Sequence, residues 1–158
     1  MFSWVIWSLT DSIGFLGQYA SGAGAGSWVA GTTAGICTAV AGLSFFTGER
    51  NITGSDWLFF IAALAAIPLW SFTKDPLGAV ILVTLINAAG AYPTLRKSYV
   101  DPYGENLFTW GLSVGRMFIA LLAIKDYSLV TTIFPLGMLS ANISITAVLV
   151  WRRIAKNS

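Results

Sequence analysis

Asp11 and Arg116 are ionisable side chains of opposite sign, each standing inside an otherwise apolar stretch. A charge in hydrocarbon costs on the order of 3 kcal/mol by insertion scales, so each requires a partner or water. Two amides share the predicament. Asn142 falls near the middle of the last apolar run, where it has no interface to reach, and Asn87 lies in an earlier one. These four residues nominate a polar site inside an apolar protein, suited to holding a small polar solute by charge and hydrogen bonds. Gln18, Thr32, Thr33, Ser113, Ser140 and Ser144 are also polar, but hydroxyls in apolar helices mostly bond back to their own backbone or bridge neighbours.

The remaining composition removes whole classes of chemistry. The chain has no histidine and one cysteine, Cys37, which excludes imidazole acid/base catalysis, most zinc sites and any intrachain disulfide. There are no paired acids within a span, no Ser or Cys beside an evident base, no Walker A sequence and no carboxylate cluster for a cation. We expect no enzymatic activity, no cofactor, no metal and no energy coupling. Asp101 and Glu105 fall in a polar loop and read as solvated. Net charge is +2 and the basic residues are scattered, so no nucleic-acid partner is expected.

The elements that must position these residues follow from hydropathy. Of 158 residues only 10% are charged, against about 25% in average soluble domains, and mean hydropathy is +0.72. A soluble fold of this size cannot hide that much apolar surface. The apolar runs exceed the alternating strands of a barrel, which leaves helices. The sequence therefore reads as an all-α integral membrane protein of about six transmembrane helices in a lipid bilayer. The spans are 2–19, 27–46, 55–72, 76–95, 106–124 and 127–151. They are separated by the glycine-rich turn 21–26, the Glu49-Arg50-Asn51 loop, Lys74-Asp75, a long polar loop at 96–105, and Lys125-Asp126. Ser55 and Asp56 are expected to cap the third span, and Pro76 to open the fourth. The N-terminus lacks a basic n-region and reads as mature protein.

Basic residues set the orientation. Arg50, Arg96, Lys97, Arg152, Arg153 and Lys156 fall on one side, against Lys74 and Lys125 on the other, which puts both termini in the cytoplasm. Trp4, Trp57, Trp110 and Trp151 sit near span ends, where interfacial anchors are expected.

The chain also resembles itself. Phe2-Ser3-Trp4 opening the first span matches Phe108-Thr109-Trp110 opening the fifth, and each precedes a helix, a short turn and a second helix ending in a basic segment. The expected organisation is a partial first bundle of two helices (1–46), a linker helix (56–72), a three-helix bundle (76–151) and a basic tail (152–158). The two bundles are pseudo-repeats, the first incomplete, and one further helix before Met1 would make three plus one plus three. Counted from the matched tryptophans at 1.5 Å per residue, Asp11 and Arg116 lie at nearly equal depths, about 10 Å and about 9 Å. They are therefore expected to face each other across the interface between the bundles, as an ion pair or as the lining of a polar cavity.

Tyr92-Pro93-Thr94-Leu95-Arg96-Lys97-Ser98, followed by Pro102 and Phe108-Thr109-Trp110, resembles the PQ-loop and SWEET superfamily of small membrane transporters, in which two triple-helix bundles are joined by an inverting helix. The resemblance covers the last three spans well and the first two partly. It implies a bacterial-type small member in an inner (plasma) membrane, carrying a small polar solute by alternating access between the bundles. It further implies a substrate-facing asparagine in the last helix of a bundle, which Asn142 would supply, and a hinge at Pro93. Three features depart from the pattern: Pro93-Thr94 replaces Pro-Gln, the first helix of the first bundle is missing, and no asparagine stands in the second span, where Thr32, Thr33 and Thr38 are the polar residues present. The alternative is an accessory subunit of a larger membrane complex, as a homo-oligomer or with partner membrane subunits packed on its small-residue faces.

Overall fold

A computed structural model describes residues 2–47 and 54–157. Six α-helices and no strands occur among them: α1 (Phe2–Ala20), α2 (Trp28–Thr47), α3 (Gly54–Thr73), α4 (Pro76–Val100), α5 (Leu107–Leu122) and α6 (Leu129–Asn157). A single 3-10 turn, Gly24–Ser27, joins α1 to α2. Among the described residues two helices are long and apolar enough to cross a membrane, Pro76–Val100 and Leu129–Lys156.

Local chemistry fixes the helix starts. Asp75 accepts from Leu77 N at 3.0 Å ahead of Pro76, and Asn106 accepts from Phe108 N and Thr109 N, so each start has side-chain caps for its free N–H groups. At the start of α6, Ser128 and Thr131 satisfy each other's backbone N–H reciprocally, and Thr131 Oγ1 also donates to the Asp126 carbonyl. The expected caps Ser55 and Asp56 have side chains outside the described residues, as does the whole Glu49-Arg50-Asn51 loop used in assigning orientation.

Two ends differ from expectation. α4 continues to Val100, shortening the loop to 101–106, and α6 continues through Arg152, Arg153 and Lys156, so the basic tail is helical. Charged residues end an apolar run but not a helix, because Arg and Lys are good helix formers and the backbone ladder continues through them.

The core is a narrow seam. Ile13 of α1, Ala66 of α3, Ala79, Val80 and Val83 of α4 and Phe134 of α6 form the main buried cluster, and Ile6, Ala63 and Ile86 extend it along the axis. The small, fully buried Ala63 and Ala66 let α3 approach α1 and α4 closely. α6 lies between α4 and α5, and α1 packs against α2, α3, α4 and α6. The two hairpin turns meet directly. Gly26 N donates to the Ala123 carbonyl at 3.1 Å, Lys125 N to Ala23 at 3.0 Å and Asp126 N to Gly22 at 3.2 Å. Gly22 adopts φ +87°, and a Cβ on Gly26 would stand 2.7 Å from the Ala120 carbonyl oxygen. The glycine-rich turn is what lets these backbones touch.

Candidate functional site

Each helix except α3 offers one face to a common cavity of about 360 Å³. On α1 the face is Trp4, Trp7 and Asp11, spaced i, i+3, i+7. On α4 it is Asn87, Gly90, Ala91 and Thr94, and on α6 Met138, Ala141, Asn142 and Ile145, both following the i, i+3, i+4, i+7 rule. α2 contributes Thr33 and Cys37, while α5 contributes Thr109, Trp110, Ser113, Arg116 and Met117. All four residues singled out in the sequence, Asp11, Asn87, Arg116 and Asn142, therefore come together, each from a different helix.

The two charges share the cavity without touching. Asp11 is 7% exposed, and its carboxyl makes no hydrogen bond with any described residue. Among the described residues the only ion pair within 4.0 Å is Lys97–Glu105, so Asp11 and Arg116 attract through space rather than through a direct contact. The expectation that they line a common polar cavity agrees with this placement, and a direct ion pair does not. Arg116 is instead held by α2. Its Nη1 donates to Thr33 Oγ1 at 2.7 Å, and the Thr33 hydroxyl donates in turn to the Val29 carbonyl at 2.7 Å. That chain fixes the guanidinium and leaves its buried Nε without an acceptor. Buried donors of that kind cost free energy until an acceptor or water reaches the group.

The amides are only partly engaged. Asn87 Nδ2 donates to the Val83 carbonyl of its own helix at 3.2 Å, leaving its oxygen free, and the Asn142 side chain makes no hydrogen bond with described residues. Ser8 and Thr38 share a hydrogen bond of 2.6 Å that ties α1 to α2 near the same face. The other hydroxyls behave as expected: Thr32, Ser140, Ser144 and Thr146 all donate to carbonyls of their own helix.

Several assignments change. Trp4 and Trp110, expected as interfacial anchors, line the cavity together with Trp7. Helix-end position alone does not distinguish the two roles, whereas the i+7 spacing from Trp4 to Asp11 does. Glu105, expected to be solvated, accepts from Lys97 Nζ at 2.7 Å and from Trp110 Nε1 at 3.3 Å, so it braces a cavity residue from outside. The hydrogen bond from Lys97 holds the Glu105 carboxyl below the usual glutamate range. Pro93 belongs to a stretch of α4 that stays helical, and its side chain lies outside the described residues.

Among the described residues the chain is all-helical, with a partly open cavity among apolar helices into which two ionisable and two amide side chains are gathered. No protein-family model, curated protein or solved structure matches the chain.

Proposed function

We propose that this chain spans a membrane, with both termini in the cytoplasm, and carries a small polar solute through the cavity between its helices. One observation bears most of the weight: Asp11, Asn87, Arg116 and Asn142 converge from four helices on one cavity, with hydrogen-bonding capacity that the protein leaves unused. Polar groups inside apolar helices are costly, and lining a solute pathway is what commonly repays them. The outer surface favours lipid as the solvent. Phe46, Phe72 and Phe108 are 84%, 86% and 73% exposed, and α3 turns Leu58, Ile61 and Leu64 outward. The pseudo-repeat supports alternating access, since the turns of its two hairpins meet and Trp4 and Trp110 line one space. A hinge at Pro93 would let α4 bend as access alternates.

Cys37, the sole cysteine, lines the cavity and provides the test. In sealed vesicles a small membrane-impermeant thiol reagent is expected to reach Cys37, or Asn142→Cys in a Cys37→Ser background, from both sides. Labelling of neither position from either side in the folded protein would mean a closed, static core and end the carrier reading.

One observation favours a second reading, an assembly subunit. Gly111 and Gly115 on α5 have open space where a Cβ would stand, and they border a groove of about 590 Å³ that also includes Val29 of α2. Such a glycine face fits a partner helix. Native mass spectrometry from mild detergent separates the two readings: a monomer or homodimer retaining a polar solute supports the carrier, and stoichiometric foreign subunits support the assembly role.

A further inference from the structure

Resting on the carrier reading, we infer that the cavity takes a small zwitterion, with its cationic group at Asp11 and its anionic group at Arg116. The two ionisable side chains are of opposite type, one acidic and one basic, line the same cavity and are not within ion-pair distance of each other. Arg116 is restrained by the Thr33–Val29 chain rather than being free to collapse onto the carboxylate. Each charge is short of partners. The Asp11 carboxyl has no hydrogen bond to any described residue, and Arg116 donates only to Thr33 while its Nε stays unsatisfied.

Charge arithmetic then discriminates among solutes. A neutral solute leaves both charges without a counter-ion, a simple cation leaves Arg116 unmatched, and a simple anion leaves Asp11 unmatched. A zwitterion whose charges are a few atoms apart satisfies both at once and keeps the loaded cavity neutral, which matters where the surroundings are apolar. The rest of the lining agrees. Trp4 and Trp7 pack edge to face at 5.2 Å on the Asp11 side of the cavity, and indole faces attract cations. Asn87 and Asn142 flank the space with amides able to meet either end. A volume of about 360 Å³ equals about twelve water volumes, room for a solute of about ten heavy atoms.

The experiment is equilibrium binding to the full chain in detergent. The probes are the proteinogenic amino acids and glycine betaine, with glucose as the neutral comparator. For the best-binding amino acid, its carboxamide serves as the cationic counterpart and its N-acetyl derivative as the anionic one; choline is the cationic counterpart of betaine. The expected result is that a zwitterion binds at least tenfold more tightly than its singly charged counterparts and than glucose. Asp11→Asn should weaken it at least tenfold while shifting preference toward the anionic derivative, and Arg116→Gln should shift preference toward the cationic one. Arg116→Lys, which keeps the charge, is expected to retain binding within a few-fold and covers the case in which Arg116→Gln fails to fold. Tighter binding of glucose or of a singly charged probe would overturn the zwitterion while leaving the carrier intact. Equal loss of all probes in folded variants would make the two charges positioning residues only. Failure of every probe, together with an unreactive Cys37, would remove the carrier reading itself.

Discussion

The two ends of the bundle are closed by different means. At one end the α1–α2 turn and the α5–α6 turn are joined backbone to backbone, with three N–H···O=C bonds between residues 22–26 and 123–126 and no side chain required. At the other end the 101–106 loop is gripped by side chains of α6. Arg153 donates to the Pro102 carbonyl at 3.0 Å and the Glu105 carbonyl at 2.8 Å, and Arg152 donates to Tyr99 at 2.9 Å while stacking over its ring. Backbone pairing through glycine tolerates almost no displacement, whereas long cationic side chains can follow a moving carbonyl by changing rotamer. For a carrier this makes the turn end the stiff pivot about which the two hairpins would rock, and the loop end the place where side chains can follow the movement.

The largest expected effect lies at the pivot. Gly26→Val would drive a side chain into the Ala120 carbonyl and Ile124, and should cost about 3 kcal/mol or more, since backbone rather than a flexible side chain must give way. SDS titration in mixed micelles measures it. Gly111→Ala, placed in open space, is the control and should be neutral or stabilising by a few tenths of a kcal/mol. Equal sensitivity at the two positions would break the comparison.

A smaller effect is expected at the other end. Arg153→Ala removes two charge-assisted hydrogen bonds from a half-buried guanidinium, worth about 2 kcal/mol together after partial replacement by water. It should raise hydrogen exchange in 101–106 without changing exchange in 22–26. Loss of protection in both segments would show that the ends are one cooperative unit.

Much of this was legible in the sequence, and the parts that were not share a cause. Apolar run length located all six helices, because hydropathy reports what surrounds a segment. It misjudged the ends of α4 and α6, where Arg96-Lys97-Ser98 and Arg152-Arg153 remain helical after leaving the apolar zone. Asp11, Asn87, Arg116 and Asn142 stood out because a polar residue is conspicuous in an apolar run, and the cavity gathers all four. Trp4 and Trp110 read as interfacial anchors and Trp7 does not stand out, since tryptophan is at home both at an interface and around a solute. Only their helical register with Asp11 and Ser113 separates the roles. The turn-to-turn pairing left no signal beyond the glycines, because backbone hydrogen bonds between segments about a hundred residues apart carry no side-chain signature.

The smallest effect concerns pH at the loop end. Lys97 lowers the Glu105 pKa in the folded protein, so the stabilisation is fully present above the ordinary glutamate range and is lost as pH falls through the depressed folded value. Because Lys97 is more than half exposed, solvent screens the pair and its contribution to stability is small. Glu105→Gln should therefore barely alter stability at neutral pH while flattening its decline between about pH 5 and pH 3. The same variant keeps an acceptor for Trp110 Nε1 but weakens the charge assistance that braces this cavity tryptophan from outside. If the loop end is where access changes, Glu105→Gln should alter the rate at which Asn142→Cys is labelled from the side on which the 101–106 loop lies and leave labelling from the other side unchanged. An equal change from both sides would place the moving element elsewhere and make the 101–106 loop as static as the glycine turn.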